Sequence, residues 1–104
     1  MDGIWFDSQR EYQRWCELRL LERAGSIQHL RRQVEFPLYV HGHVLGELVG
    51  HYVADFVYTE YSTAEAVRGQ TSLVVEDVKG FRTPLYIWKR RHFELQYRLE
   101  IRET

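Results

Sequence analysis

The stretch Val74-Val75-Glu76-Asp77-Val78-Lys79-Gly80 constrains this chain more than any other, because it sets three charges inside an apolar run that reads as a buried strand. Side chains alternate across a strand, so Val75, Asp77 and Lys79 share one face and Val74, Glu76 and Val78 the other. Asp77 and Lys79 are then neighbours at the end of a strand that Gly80 closes. A fold that accepts this segment must supply a sheet for the valines and a partner or a cation for the carboxylate.

The rest of the chain offers such a sheet. Ser8 and Glu11 have capping-box spacing, and the helix formers that follow run to Gly25, which predicts a helix over about residues 9–24. Trp15, Leu18 and Leu21 fall on one stripe of it, and Glu11 lies along the same stripe, so its carboxylate leans toward the protein body. Glu11 also has an ordinary reading as the second member of the capping box. Residues 33–40 and 51–61 are rich in Val, Tyr and Phe, as strands are, with glycines at 42, 46 and 50 between them. A polar loop over 62–70, a strand over 71–79, a helix over about 85–97 with Pro84 in its first turn, and a strand-like alternation in residues 99–103 complete the order. The expectation is a single α/β domain over residues 1–104, of αβββαβ order with a mixed central sheet.

At 104 residues, 44% hydrophobic and 28% charged, the chain suffices for one core without disulfides or structural metal. Its single cysteine, Cys16, lies mid-helix as a packing residue and excludes both an internal disulfide and a four-thiolate zinc site. No apolar run reaches the roughly 18 residues of a membrane span, and the N-terminus lacks a basic-then-apolar leader, so the reading is a cytoplasmic protein with no membrane partner. His41, His43 and His51 lie near one another in sequence without a patterned further ligand, and read as loop histidines rather than a zinc site.

Alternation within residues 51–61 puts His51, Val53, Asp55 and Val57 on one face, leaving Asp55 as a lone carboxylate among apolar neighbours. Asp55 and Asp77 would stand on strands that can be adjacent, and facing carboxylates repel unless something positive lies between them. Magnesium, or manganese, meets that need: a hard cation held by one or two carboxylates keeps waters and substrate phosphates in its remaining positions. Lys79 would then contact the phosphate or the attacking water. Each piece alone has a plainer reading: Asp-x-Lys as a surface ion pair, Asp55 as the partner of an arginine. Together they form one metal-dependent constellation.

The net charge of −1 gives no bulk attraction to nucleic acid, yet Lys79, Arg82, Lys89, Arg90 and Arg91 occur between Lys79 and Phe93 with no acid among them. That segment is a candidate DNA-binding surface, carried by Arg82, Lys89, Arg90 and Arg91. Lys89 is the first choice, since consecutive helical positions diverge and cannot all meet one phosphate. The aromatics Tyr52, Phe56, Tyr58 and Trp88 read mostly as core.

The order of elements and the residues Asp55 and Asp77-Val78-Lys79 resemble the PD-(D/E)XK nuclease superfamily. The strings GIWFDSQRE, LRLLERAGSI, Gln33 with Phe36, YVADFVY and VVEDVKG, with the basic helix after them, resemble small phage-encoded endonuclease-like proteins related to Holliday-junction resolvases. One departure is Ala54, where the superfamily carries proline. The resemblance implies a magnesium- or manganese-dependent DNA endonuclease acting on branched DNA, working as a homodimer in a phage-infected bacterial cytoplasm. It implies Asp55 and Asp77 as metal ligands with the Val78 carbonyl as a third oxygen, Lys79 as the phosphate- or water-contacting base, and Glu11 as a ligand or the partner of one. A one-residue shift of register would exchange Asp77 and Glu76. The alternative is a DNA-binding or interaction module that keeps this fold without catalysis.

Overall fold

The computed structural model describes residues 6, 8–41, 46–62 and 69–104. Helix α1 (Gln9–Arg23) is followed by strands β1 (Ile27–Val40), β2 (Glu47–Tyr61) and β3 (Thr71–Asp77), helix α2 (Pro84–Tyr97) and strand β4 (Ile101–Glu103). The sheet runs β1-β2-β3-β4, antiparallel up to β3 and parallel between β3 and β4, with α2 as the crossover. The αβββαβ order and the mixed sheet are therefore as expected. Strands β1 and β2 begin earlier than composition indicated, because Ile27–Arg32 and Glu47–Gly50, which carry few β-formers, are drawn into the ladder by pairing. Gly42, His43 and most of the 62–70 loop lie outside the described residues. Among the described residues, no helix is long and apolar enough to cross a membrane.

Each helix covers one face of the sheet. Ser8 caps α1, its hydroxyl accepting the Glu11 amide at 3.1 Å, and Leu18 is completely buried in a cluster with Ile27, Phe56, Tyr58 and Val74, with Trp15 stacked on Phe56. Leu21, expected on the same stripe, is instead 39% exposed near the end of the helix. Thr83 caps α2, and Phe93 is fully buried against Leu38, Tyr52, Ala54, Val57, Val75 and Ile101 on the other face. Phe93 lies 5.0 Å from the rings of both Phe36 and Tyr52, and Tyr97 anchors the helix by donating its hydroxyl to the Pro37 carbonyl at 2.6 Å. Pro37 costs the sheet no ladder bond of consequence, since β1 is an edge strand.

One departure from strict alternation places the site. Tyr52 and Ala54 pack on the α2 face, but Phe56 and Tyr58, two and four residues on, pack on the α1 face. The strand changes phase at Asp55, so His51 and Val53 do not share a buried face with Val57 as the sequence pattern indicated. The neighbouring edge strand switches at the corresponding point: Val34 packs toward α2, whereas Arg32 lies over the Phe6 ring and 3.6 Å from Glu11. Between them Gln33 has φ of 54°, a left-handed conformation that costs a non-glycine residue about 1 kcal/mol or more.

Candidate active site

The phase change gathers two of the predicted residues around one side chain that has no predicted role. Glu11 is buried at the first turn of α1, and its Oε1 accepts the Gln33 side-chain amide at 3.0 Å. The same Gln33 Nε2 lies 3.4 Å from Asp55 Oδ1. Glu11 and Asp55 are thus connected through an amide. Gln33 occurs among the strings that carry the family resemblance, but only its left-handed backbone, invisible in sequence, turns it toward both carboxylates.

Strands β2 and β3 are paired as far as Phe56 and Glu76, and Asp55 and Asp77 come next on their respective strands. Asp55 Oδ2 accepts the Val78 backbone amide at 2.9 Å, tying the first aspartate to the residue between Asp77 and Lys79. Asp77 is buried; the Tyr52 hydroxyl donates to its Oδ2, and Lys79 Nζ stands 3.4 Å from its Oδ1. Burial pushes the Asp77 carboxyl up to about 6, against the opposing pull of the Lys79 ammonium and the Asp55 backbone. The Lys79 amide donates to the Thr104 carbonyl at 3.1 Å, so its backbone is pinned where the strand pairing ends.

Glu76 faces the other way, as alternation requires. Its carboxylate is fully buried and takes Arg14 Nε and NH2 at 2.6 and 3.0 Å, the Tyr58 hydroxyl at 2.6 Å and the Thr104 hydroxyl at 3.1 Å. These donors occupy both its oxygens. The Tyr58 hydroxyl is pushed up to about 12 by burial and by its bond to Glu76. Glu76 is a structural carboxylate joining α1 to β3, and the exchange with Asp77 that a shifted register would bring does not occur.

The donor set suits a hard divalent cation. Asp77 Oδ1 is buried and meets the Lys79 ammonium at 3.4 Å, outside hydrogen-bonding geometry, one residue from the amide that Asp55 holds from the adjacent strand. Among the described residues no three His, Cys, Asp or Glu side chains converge on one point, so the carboxylates this end of the sheet offers are those of Asp55 and Asp77. His41 is exposed at the end of β1, and His51 pairs with Glu35 at 3.4 Å.

The basic segment divides into two groups. Arg82 forks onto Glu103, with Nε 3.0 Å from each carboxylate oxygen, and Arg90 reaches the same carboxylate at 3.0 Å and Glu94 at 3.3 Å. Glu103 is held down to about 2, chiefly by the Arg82 hydrogen bonds. Arg91 is exposed, while Lys89 is half-buried on the rim of an open, mostly apolar groove of about 330 Å³ lined by Leu38, Val49, Leu85 and Trp88. Trp88 is 74% exposed rather than core. Tyr86, which composition alone gives no role, lies with its ring centroid 4.3 Å from Lys79 Nζ.

No curated protein and no solved structure matches this chain. A family model matches residues 1–104, its whole length, and the chain belongs to the family described as "Protein of unknown function (DUF1064)".

Proposed function

We propose that this protein is a divalent-metal-dependent endonuclease of the PD-(D/E)XK type, hydrolysing phosphodiester bonds in DNA, with branched DNA as the favoured substrate. The observation that carries the reading is the end of β3: a buried, incompletely satisfied Asp77 carboxylate, an ammonium 3.4 Å from it on Lys79, and Asp55 bonded to the amide between them. Asp55, Asp77 and the Val78 carbonyl would hold magnesium or manganese. When bound, that ion supplies positive charge to the phosphate and activates water at neutral pH. Lys79, at the mouth of the site, meets the phosphate oxygens and offsets the charge that develops on them. Gln33 keeps Asp55 oriented and hands the constraint to Glu11 on α1, which makes Glu11 a holder of the arrangement. In the overall reaction water adds to phosphorus, one P–O ester bond breaks, and the departing sugar oxygen leaves as a hydroxyl.

The test is cleavage of supercoiled plasmid and of synthetic four-way junctions in magnesium or manganese, with EDTA as control. Wild type should nick or cut, and Asp55→Asn, Asp77→Asn and Lys79→Ala should each lower the rate by at least about 100-fold while the variants stay folded. An Asp77→Asn protein as fast as wild type would sink the site assignment. Tight DNA binding by wild type with no cleavage in either metal would leave a non-catalytic DNA-binding module.

A further inference from the structure

Lysine is a compact charge on a long flexible stem, and holding it in one place takes more than a nearby carboxylate. Two carboxylates compete for Lys79, because Asp77 and Glu103 are Cα partners on the parallel strands β3 and β4. Glu103, however, is already claimed: Arg82 forks onto it, Arg90 reaches it from α2, and the Tyr86 hydroxyl donates to its Oε2 at 2.8 Å. Planar guanidinium groups match a carboxylate edge in a way an ammonium does not, so the arginines take Glu103 and Lys79 is left to Asp77. The Tyr86 ring closes the other side, its centroid 4.3 Å from Nζ. Burial and the bond to Glu103 hold the Tyr86 hydroxyl in its neutral, donating form, which fixes the ring plane that faces the lysine.

From this geometry we infer that Tyr86 is a positioning residue for Lys79, with Glu103, Arg82 and Arg90 as the frame that holds the ring. The inference rests on the endonuclease reading and adds to it a role for α2 at the reacting end of the sheet. It also gives Arg82 and Arg90 an internal task. A lysine released from the ring would sample Glu103 and solvent, and a misplacement of about 1 Å can cost as much as 100-fold in rate.

Two readouts on the full chain test this. The first is the NMR shift of the Lys79 ε-methylene protons in metal-free protein, which an aromatic face moves upfield; it needs no activity. Wild type should show that displacement in full, Tyr86→Phe, which keeps the ring but loses its bond to Glu103, should show part of it, and Tyr86→Leu should lose it. The second is cleavage kinetics per folded molecule. Tyr86→Leu should lower kcat by roughly 10-fold or more with KM nearly unchanged, and Tyr86→Phe, which restores the ring without its bond to Glu103, should recover part of the loss. Tyr86 also packs against the α2 core. Should Tyr86→Leu fail to fold, Glu103→Gln, which loosens the ring without emptying its place, should reduce both the shift and kcat. An unchanged methylene shift, or an unchanged kcat in a folded ring-loss variant, would overturn the inference. A wild type that cuts no DNA would overturn the endonuclease reading instead, and the methylene shift would still decide whether Tyr86 holds Lys79.

Discussion

Asp77 shows what a buried carboxylate costs a small protein. Its carboxyl titrates near 6 instead of the ordinary 3.8, because burial disfavours the charged form more than Lys79 favours it. The fold therefore prefers the protonated acid. Stability is undiminished below about pH 4, falls as pH rises through 6, and carries the full penalty above that, on the order of 2 to 3 kcal/mol. In EDTA at pH 7.5, Asp77→Asn should raise the melting temperature by on the order of 10 °C, and the gain should vanish near pH 4. Equal melting temperatures for variant and wild type at pH 7.5 would mean that the carboxylate is not under this strain. Gln33 carries a second cost of the same kind, in backbone conformation, at the point where two strands change phase.

The elements are joined by polar contacts as well as by apolar packing. Helix α1 is fastened to β3 by the Arg14–Glu76 pair, with Glu76 completely buried and Arg14 reaching it from a partly open position. Removing one member of such a pair leaves the other without compensation. Glu76→Gln should lower stability by about 3 kcal/mol in denaturant titration, while cleavage per folded molecule stays near wild type. A variant as stable as wild type, or one that folds and does not cut, would reverse the roles given to Glu76 and Asp77. Helix α2 is fastened differently, through Phe93 in an aromatic cluster and Tyr97 on the Pro37 carbonyl. That anchoring aims its first turn, with Tyr86, at Lys79.

Across the whole molecule the near-neutral total charge means that the DNA binding we propose would rest on local groups. Counterions are released only by cations that are free to meet phosphates, and the structure divides the basic segment by that criterion. Lys89→Ala and Arg91→Ala should each reduce the slope of log affinity against log salt by about one, measured in calcium to permit binding without cutting. Arg82→Ala and Arg90→Ala should change it clearly less, since Glu103 already pairs with Arg82, and Glu103 and Glu94 together with Arg90. An unchanged slope in the Lys89→Ala, Arg91→Ala double variant would remove α2 from the DNA interface.

Local patterns determined the order of elements. Ser8 and Thr83 as caps, Pro84 in a first turn and the valine-rich runs are short-range features, and they act alike in any tertiary setting. The opposite faces of Glu76 and Asp77 were likewise legible, because alternation within a regular strand is geometric. The same rule failed at Asp55, where the change of phase arises between strands and leaves no trace in the residues of one strand. Gln33 between Glu11 and Asp55, Tyr52 on Asp77, and Tyr86 on Glu103 join residues 17 or more apart in sequence, and Lys79 meets Tyr86 across the turn that leads from β3 into α2. The basic run looked uniform because composition counts charges without their partners. Only the pairing of β3 with β4 brought Glu103 beside Asp77, and with it the division between cations used inside the fold and cations outside those ion pairs.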